Sequence, residues 1–274
     1  MRPYTWKAPR AVPARLLEDQ ERGKPAMLIE KEPGSNWLDL QQRVGAMLQE
    51  SGFSIEVTKS LTTARGTVEI DVCATDPTTT PPAIYVCECK RWSSNVPQAE
   101  VQAFRTIVAD AGAHFGLFIS ARGFQAGCYD VVRHTNVHLF SWAQFQELFI
   151  ERWCKRYWIP TFRSEAGALA TYVEAVSSDA GSRAERGERL EQGEAVGLFC
   201  LDMWGPPFDG LAELILGRSE PVARAIRERR DRYLPYLPKP IADAQYLREL
   251  LQAISEFTRN WQRDREKARP THDT

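Results

Sequence analysis

No run of about eighteen consecutive apolar residues occurs in the sequence, so nothing in it reads as a membrane-spanning helix. The amino-terminal stretch likewise has no apolar core of the length a secretion signal needs, and a cytoplasmic protein is the expectation. Histidine is scarce, with four in 274 residues. His114, His134 and His138 fall at the edges of expected elements without metal-ligand spacing, which points to structural or exposed roles. The six cysteines, Cys73, Cys87, Cys89, Cys128, Cys154 and Cys200, lack the spacing of a disulfide framework. Cys87 and Cys89 share one expected strand and have no second close pair, which speaks against zinc and for reduced thiols in the core. An excess of positive charge is missing too: 35 Lys and Arg stand against 36 Asp and Glu, for a net charge of −1. Sequence-blind coating of a polyanion is thereby disfavoured, and any nucleic-acid contact must come from local patches.

Hydrophobic content of 43% and charged content of 26% are ordinary for a soluble globular protein. At 274 residues the chain can bury a sizeable core, as one large domain or two modest ones. Its most informative stretch is GTVEIDVCATDPTTTPPAIYVCECKRW, from Gly66 to Trp92. Two short strands joined by a proline-rich turn are expected there, with acidic residues inside both and a lysine near the end of the second. A half-buried strand does not carry carboxylates without a use for them, because an unpaired buried charge costs several kcal/mol.

Strand alternation puts Glu69 and Asp71 on one face of the first strand and Val68, Ile70 and Val72 on the other. Glu88 and Lys90 share a face of the second strand. If the hairpin closes symmetrically about Thr79 and Thr80, Asp71 faces Glu88 and Glu69 faces Lys90, at the strand spacing of roughly 4.8 Å. Two carboxylates and an amine meeting in this way suit a hard divalent cation such as Mg²⁺ or Mn²⁺. Asp71, Glu88 and the backbone carbonyl of Cys89 would be its ligands beside a substrate phosphate. Lys90 would orient or help deprotonate water and offset negative charge on the phosphate. The competing reading is a surface ion pair worth about 0–1 kcal/mol.

Around this stretch the periodicity predicts an alternating α/β pattern. Ser35 or Asn36 caps a helix to about Glu50, carried by Trp37, Leu40, Val44, Met47 and Leu48, and Gly52 ends it. A strand is expected over Phe53 to Thr58. After Lys90 a helix runs from about Pro97 to Ala111, followed by a buried strand over Phe115 to Ser120, a helix opened by Gly123-Phe124-Gln125, a strand over Thr135 to Phe140 and a helix from Trp142 to about Tyr157. The backbone N–H groups of the Gly123-Phe124-Gln125 turn suit an anion, or the turn is purely structural.

These residues resemble the Mrr-like branch of the PD-(D/E)xK restriction endonucleases. The resemblance rests on EIDV (Glu69 to Val72), ECKRW (Glu88 to Trp92), GAHFGLFIS (Gly112 to Ser120), GFQAG (Gly123 to Gly127) and TNVHLF (Thr135 to Phe140), and covers about Trp37 to Phe149. It implies an α/β fold with a restriction-endonuclease-like core, a central mixed sheet flanked by helices. It also implies metal-dependent hydrolysis of DNA phosphodiester bonds, with Asp71, Glu88 and Lys90 as the catalytic set, and it suggests a role in restriction or anti-phage defence. The helix ahead of the first motif strand often carries a glutamate in that family, where this sequence has Gln41. Gln41, Glu69 and Gln125 are auxiliary candidates.

Residues 1–34 read as an arm rich in proline and charge, residues 35–158 as the nuclease-like domain, and residues 159–274 as a mainly helical region. Within the last, Val176 to Glu194 is polar and charge-rich, an exposed loop or a loosely held helix. A helix starting at Ser219 and Pro221 carries Arg224, Arg227, Arg229, Arg230 and Arg232, which either face DNA or are simply solvated. A final helix begins near Ile241, with Leu247, Leu250, Ile254, Phe257 and Trp261 at three- and four-residue steps. Packing onto the body of the protein competes there with a homodimer seam or a partner-protein surface. A non-catalytic nucleic-acid or protein-binding module on the same fold is the alternative to an enzyme, and an RNA or branched-DNA substrate the alternative to ordinary DNA.

Overall fold

A computed structural model describes residues 27–63, 65–176, 183, 186, 190–204 and 222–268. The Asn36 side chain accepts the Asp39 N–H and caps helix α1 (Trp37–Glu50), as its position ahead of the apolar repeat predicts. Ser51 ends the helix, and Gly52, at φ 87°, supplies the left-handed turn into the sheet. The sheet is built from β1 (Ser54–Thr63), β2 (Gly66–Asp76), β3 (Ala83–Lys90), β4 (Phe115–Ser120) and β5 (Val137–Ser141), in that spatial order. β1, β2 and β3 pair antiparallel, whereas β3, β4 and β5 pair parallel. The parallel steps are made by crossovers through α2 (Gln98–Asp110) and α3 (Ala126–Val132). A mixed sheet flanked by helices is therefore the architecture.

One face of the sheet is covered by a core that includes Leu40, Val44 and Leu48 of α1, Val72, Cys87, Leu117 and Ile119 of the strands, and Phe145 and Phe149 of α4 (Trp142–Trp153). The other face packs Ile70, Val86 and Phe118 against Val101, Phe104 and Val108 of α2, and Cys128 and Val131 of α3. All six cysteines are free and buried. The chain continues from α4 through a five-residue π-helical turn (Cys154–Trp158) into α5 (Ile159–Val176), so residue 158 sits inside an unbroken helical run. Trp158, Phe162, Ala166 and Leu169 belong to the same apolar cluster as α1 and the sheet, together with Val196 and Phe199 of α6 (Gln192–Trp204) and Ile226 of α7 (Val222–Tyr233). After the short α8 (Lys239–Ala242), Leu250 and Ile254 of α9 (Leu247–Lys267) complete that core. No described helix is long and apolar enough to cross a membrane.

Several expectations need correction. The last helix starts at Leu247 and holds to Lys267, where Arg265 stacks over Tyr172 at 3.9 Å and over Trp261. The arginine-rich helix does not present a bare basic face. Arg230 is buried and donates to the Ala244 carbonyl, Arg224 pairs with Glu228 at 3.2 Å, and Arg232 reaches Asp202 at 3.3 Å. Arg230 thus works as a tie between helices, and its charge is spent inside the protein. Most of the arm, residues 1–26, and the start of the arginine-rich helix at 219–221 lie outside the described residues, as does much of the polar stretch from Val176 to Glu194. The described end of the arm is fastened to the core. Met27 and Ile29 are buried, Leu28 and Ile29 accept the N–H groups of Leu247 and Arg248, and the Arg248 guanidinium bonds both Glu30 and Glu50.

At the loop end of the β2–β3 hairpin, Arg152 of α4 makes a two-pronged bond to Asp76, at 2.5 and 2.9 Å. That guanidinium, with the Thr78 hydroxyl and N–H, holds the Asp76 carboxyl down at about 2, against the smaller opposing effect of burial. A carboxyl depressed in the folded state stabilises the fold above its unfolded pKa near 4 and loses that contribution as pH falls towards 2. Asp76→Asn is therefore expected to cost on the order of 2 kcal/mol at neutral pH, and the gap to wild type should shrink as pH drops from about 4 towards 2. Urea melts across that range check both the size and the sign.

Candidate active site

The symmetric register expected for the hairpin is the one observed: Asp76 pairs with Ala83 and Val72 with Cys87, centring the turn on Thr79 and Thr80. The ladder then stops. No rung forms between Asp71 and Glu88 or between Glu69 and Lys90, because beyond Cys87 the strands part while β3 stays paired to β4 as far as Lys90 and Ser120. The Asp71 carboxylate fills the opening by accepting the Cys89 N–H at 2.7 Å, one residue past the expected partner. An acid and a backbone donor thus replace two backbone hydrogen bonds at the mouth of the fork.

The other edge of β2 is broken at the same residue. β1 and β2 pair continuously except at Thr58 and Asp71, and Thr58 has a left-handed backbone with φ 53°. Side-chain alternation slips there. Val68 and Ile70 pack with the α2 and α3 side of the sheet, whereas Val72 and Ala74 pack with the α1 side. The expectation that Val68, Ile70 and Val72 share a face is therefore overturned, while the Glu69 charge still reaches Asp71 and adds to the effect of burial in raising its carboxyl. Glu69 is exposed and pairs in the ladder with Ser60, while Asp71 is half-buried.

Gln41 of α1 occupies the gap. It is 1% exposed, and its amide nitrogen donates to the Asp71 carbonyl at 2.6 Å and to the Thr58 hydroxyl at 2.9 Å. An amide can make both bonds, whereas a glutamate, having no N–H, would set an oxygen against the Asp71 carbonyl. Gln41 thus holds the backbone that carries Asp71. Its amide oxygen is buried without a hydrogen-bond partner.

Glu88 and Lys90, both half-buried, form an ion pair at 2.5 Å. Glu100, in the first turn of α2, stands 4.0 Å from the Lys90 amine. Burial raises the Asp71 carboxyl above its usual range, opposed by the Cys89 N–H and the Lys90 charge. Burial and the neighbouring Asp71 charge raise Glu88 as well, against the pull of Lys90. Burial alone would lower Lys90, but its bond to Glu88 and the charges of Asp71 and Glu100 prevail and keep its ammonium form favoured. Burial thus outweighs the Lys90 charge at both carboxyls. Among the described residues no group of three or more His, Cys, Asp and Glu side chains could hold a metal ion. The donors available here are two carboxylates and backbone oxygen, a set that fits a hard divalent cation completed by water and phosphate oxygen.

Gln125 is exposed in the loop beyond the carboxyl end of β4, at the same end of the parallel strands as Lys90. The anion-binding turn expected there needs correction. The Gly123 N–H donates to the Ser120 hydroxyl and the Gln125 N–H to the Val96 carbonyl, so neither is free for a phosphate. The loop over residues 77–82 joins the far ends of the strands, ~16 Å along β3 from Glu88, and does not approach the carboxylates. Glu100 and Thr58 were missed from the sequence: a helix N-terminal acid is ordinary, and a left-handed threonine leaves no compositional sign.

If Gln41 holds Asp71 in place, Gln41→Leu leaves the half-buried Asp71 backbone carbonyl without its donor. A loss of about 1–3 kcal/mol in chemical denaturation is expected, together with faster hydrogen exchange at the Cys89 amide, which a mere loss of packing would not single out.

Residues 34–149 match the family model of the Mrr_cat restriction endonucleases. No curated protein matches the sequence. Among solved structures, one described as "Protein of Unknown Function AF1548" aligns over 72% of this chain and 98% of its own, at 18% identity and a TM-score of 0.37. The matched segment, residues 34–149, contains the whole sheet, the fork at Asp71 and the Glu88–Lys90 pair, and is similar to the restriction-endonuclease domain that the family model describes.

Proposed function

We propose that this protein is a metal-dependent endonuclease that hydrolyses phosphodiester bonds in DNA, working in the cytoplasm in restriction or anti-phage defence. One observation carries the reading: two half-buried carboxylates lie where the hairpin ladder opens, with a lysine ion-paired to one of them. Asp71, Glu88 and the Cys89 carbonyl would hold Mg²⁺ or Mn²⁺. The N–H and C=O of an extended residue leave the same edge of a strand, and the Cys89 N–H already points to Asp71, which supports the carbonyl as a ligand. When bound, the cation supplies charge that polarises the phosphate and acidifies a water.

The remaining work falls to the chain itself. Lys90, favoured as the ammonium, donates a hydrogen bond and positive charge to the phosphate and does not serve as a base. Glu100, 4.0 Å from that ammonium, adds to its preference for the charged form. Glu69, exposed at the mouth of the fork, is an auxiliary acid for water near Asp71. Gln125 lies in the loop past β4, where a strand crossing the carboxyl ends of the parallel strands would pass. Cleavage of both DNA strands calls for two such sites, which favours a homodimer, and the helices after residue 158 offer a surface for a partner protein.

Asp71→Ala and Lys90→Ala are each expected to reduce plasmid nicking in Mg²⁺ or Mn²⁺ by at least about 100-fold with the fold retained. Unchanged cleavage in both variants overturns the assignment. The closed Glu88–Lys90 pair favours a second reading, a non-catalytic binding module on the same fold. Calorimetry with Mn²⁺ separates the two: an enzyme gives binding heat that Glu88→Gln abolishes, and a module gives none.

A further inference from the structure

Seven large apolar side chains are exposed among the described residues: Trp37, Leu38, Val57, Trp92, Tyr129, Leu148 and Leu234. Single exposed apolar residues are normal, but four of these lie close in the chain to residues of the candidate site. Trp37 and Leu38 open the helix that carries Gln41, Val57 precedes the Thr58 break, and Trp92 lies two residues past Lys90. Trp37 is 61% exposed and Trp92 is 40% exposed, whereas Trp142, Trp153 and Trp158 are buried. The segments bearing the two exposed indoles are joined, since the Arg91 guanidinium donates to the Gly34 carbonyl at 2.6 Å. The Lys90 amine stands over the Trp92 ring, 5.5 Å from its centre, so a part-exposed aromatic side chain and the candidate catalytic ammonium share one small surface.

We propose that Trp92 and Trp37 form a stacking platform for unpaired nucleobases, so that the strand delivered to Asp71, Glu88 and Lys90 is single-stranded or frayed DNA and not closed duplex. This rests on the nuclease reading of the same site. A base inside a duplex has both faces covered by its neighbours and offers a protein only its edges, whereas an unpaired base offers a flat face of the size and polarity of an indole. Stacking of that kind contributes appreciably for every base engaged and tolerates any sequence. The neighbouring ammonium supplies the complementary charge for the phosphate attached to a stacked base. With a net charge of −1 the chain has little general attraction for DNA, and such contacts would give a strand its hold beside the carboxylates.

The test is fluorescence anisotropy in EDTA, where nothing is cleaved, using the full chain and labelled oligonucleotides: a single-stranded twenty-mer (~20 nucleotides), the blunt duplex of the same sequence, and that duplex with a central unpaired bubble. Wild type is expected to bind the single strand and the bubble about tenfold more tightly than the duplex. Trp92→Ala and Trp37→Ala should each remove most of that preference, and Trp92→Phe should keep it because a phenyl ring still stacks. Equal binding of all three substrates by wild type overturns the proposal, as does undiminished single-strand preference in both alanine variants. Plasmid cleavage by Trp92→Ala and by Asp71→Asn, run in parallel, keeps the two ideas apart. If Asp71→Asn cleaves normally, the nuclease reading falls. If wild type cleaves but shows no strand preference in EDTA, only the platform falls.

Discussion

The release of Asp71 from the sheet on both of its edges is the constraint on which the site depends. A strand residue in a regular ladder has its backbone committed to its neighbours and its side chain set by alternation. Asp71 escapes both conditions. On one edge the rung to β1 is missing, and Gln41 takes over the freed carbonyl; on the other the ladder to β3 ends one residue earlier, and the carboxylate itself binds the Cys89 N–H. The Asp71 carbonyl and the Cys89 N–H are each taken by a side chain in place of a ladder partner. A carboxylate held in this way sits half-buried beside Glu88, where burial and like charge disfavour ionisation and a cation is welcome.

Keeping that break open requires a stiff surround, and the packing supplies it. Helix α1, which carries Gln41, is pinned from outside the sheet. Arg43 binds Glu30 at 2.5 Å, Glu50 at its far end accepts from Arg248 and from the Trp153 indole, and Arg152 reaches back to the Ser51 carbonyl. Apart from the Arg43–Glu30 bond, those ties come from α4 and α9, so a carboxy-terminal helix shares in positioning the helix that positions Asp71. A chain whose apolar cluster runs from Met27 through the sheet to Ile254 transmits such constraints as one packed body.

Much of this arrangement was legible in the sequence. The caps at Asn36 and Gly52, the buried run from Phe115 to Ser120 and the turn centred on Thr79 and Thr80 are local signals, each fixed by residues a few positions apart, and the structure places them as expected. The pair at Glu88 and Lys90 was equally readable, because two residues on one strand face need no knowledge of the rest. What escaped was cooperative. Strict alternation predicts Val68, Ile70 and Val72 on one face, whereas the ladder breaks at Asp71 and the left-handed Thr58 and the alternation slips there. Arginines at 230 and 232 looked like part of a basic face for a similar reason: their partners Ala244 and Asp202 lie outside the helix in sequence.

The central claim is that the fork at Asp71 is a cation site formed by two strands of the hairpin. Crystals soaked in Mn²⁺ and measured at the manganese absorption edge test it directly. An anomalous peak within coordination distance of both Asp71 and Glu88 is the expected result, and an empty fork at saturating Mn²⁺, with the Glu88–Lys90 pair still closed, would contradict it.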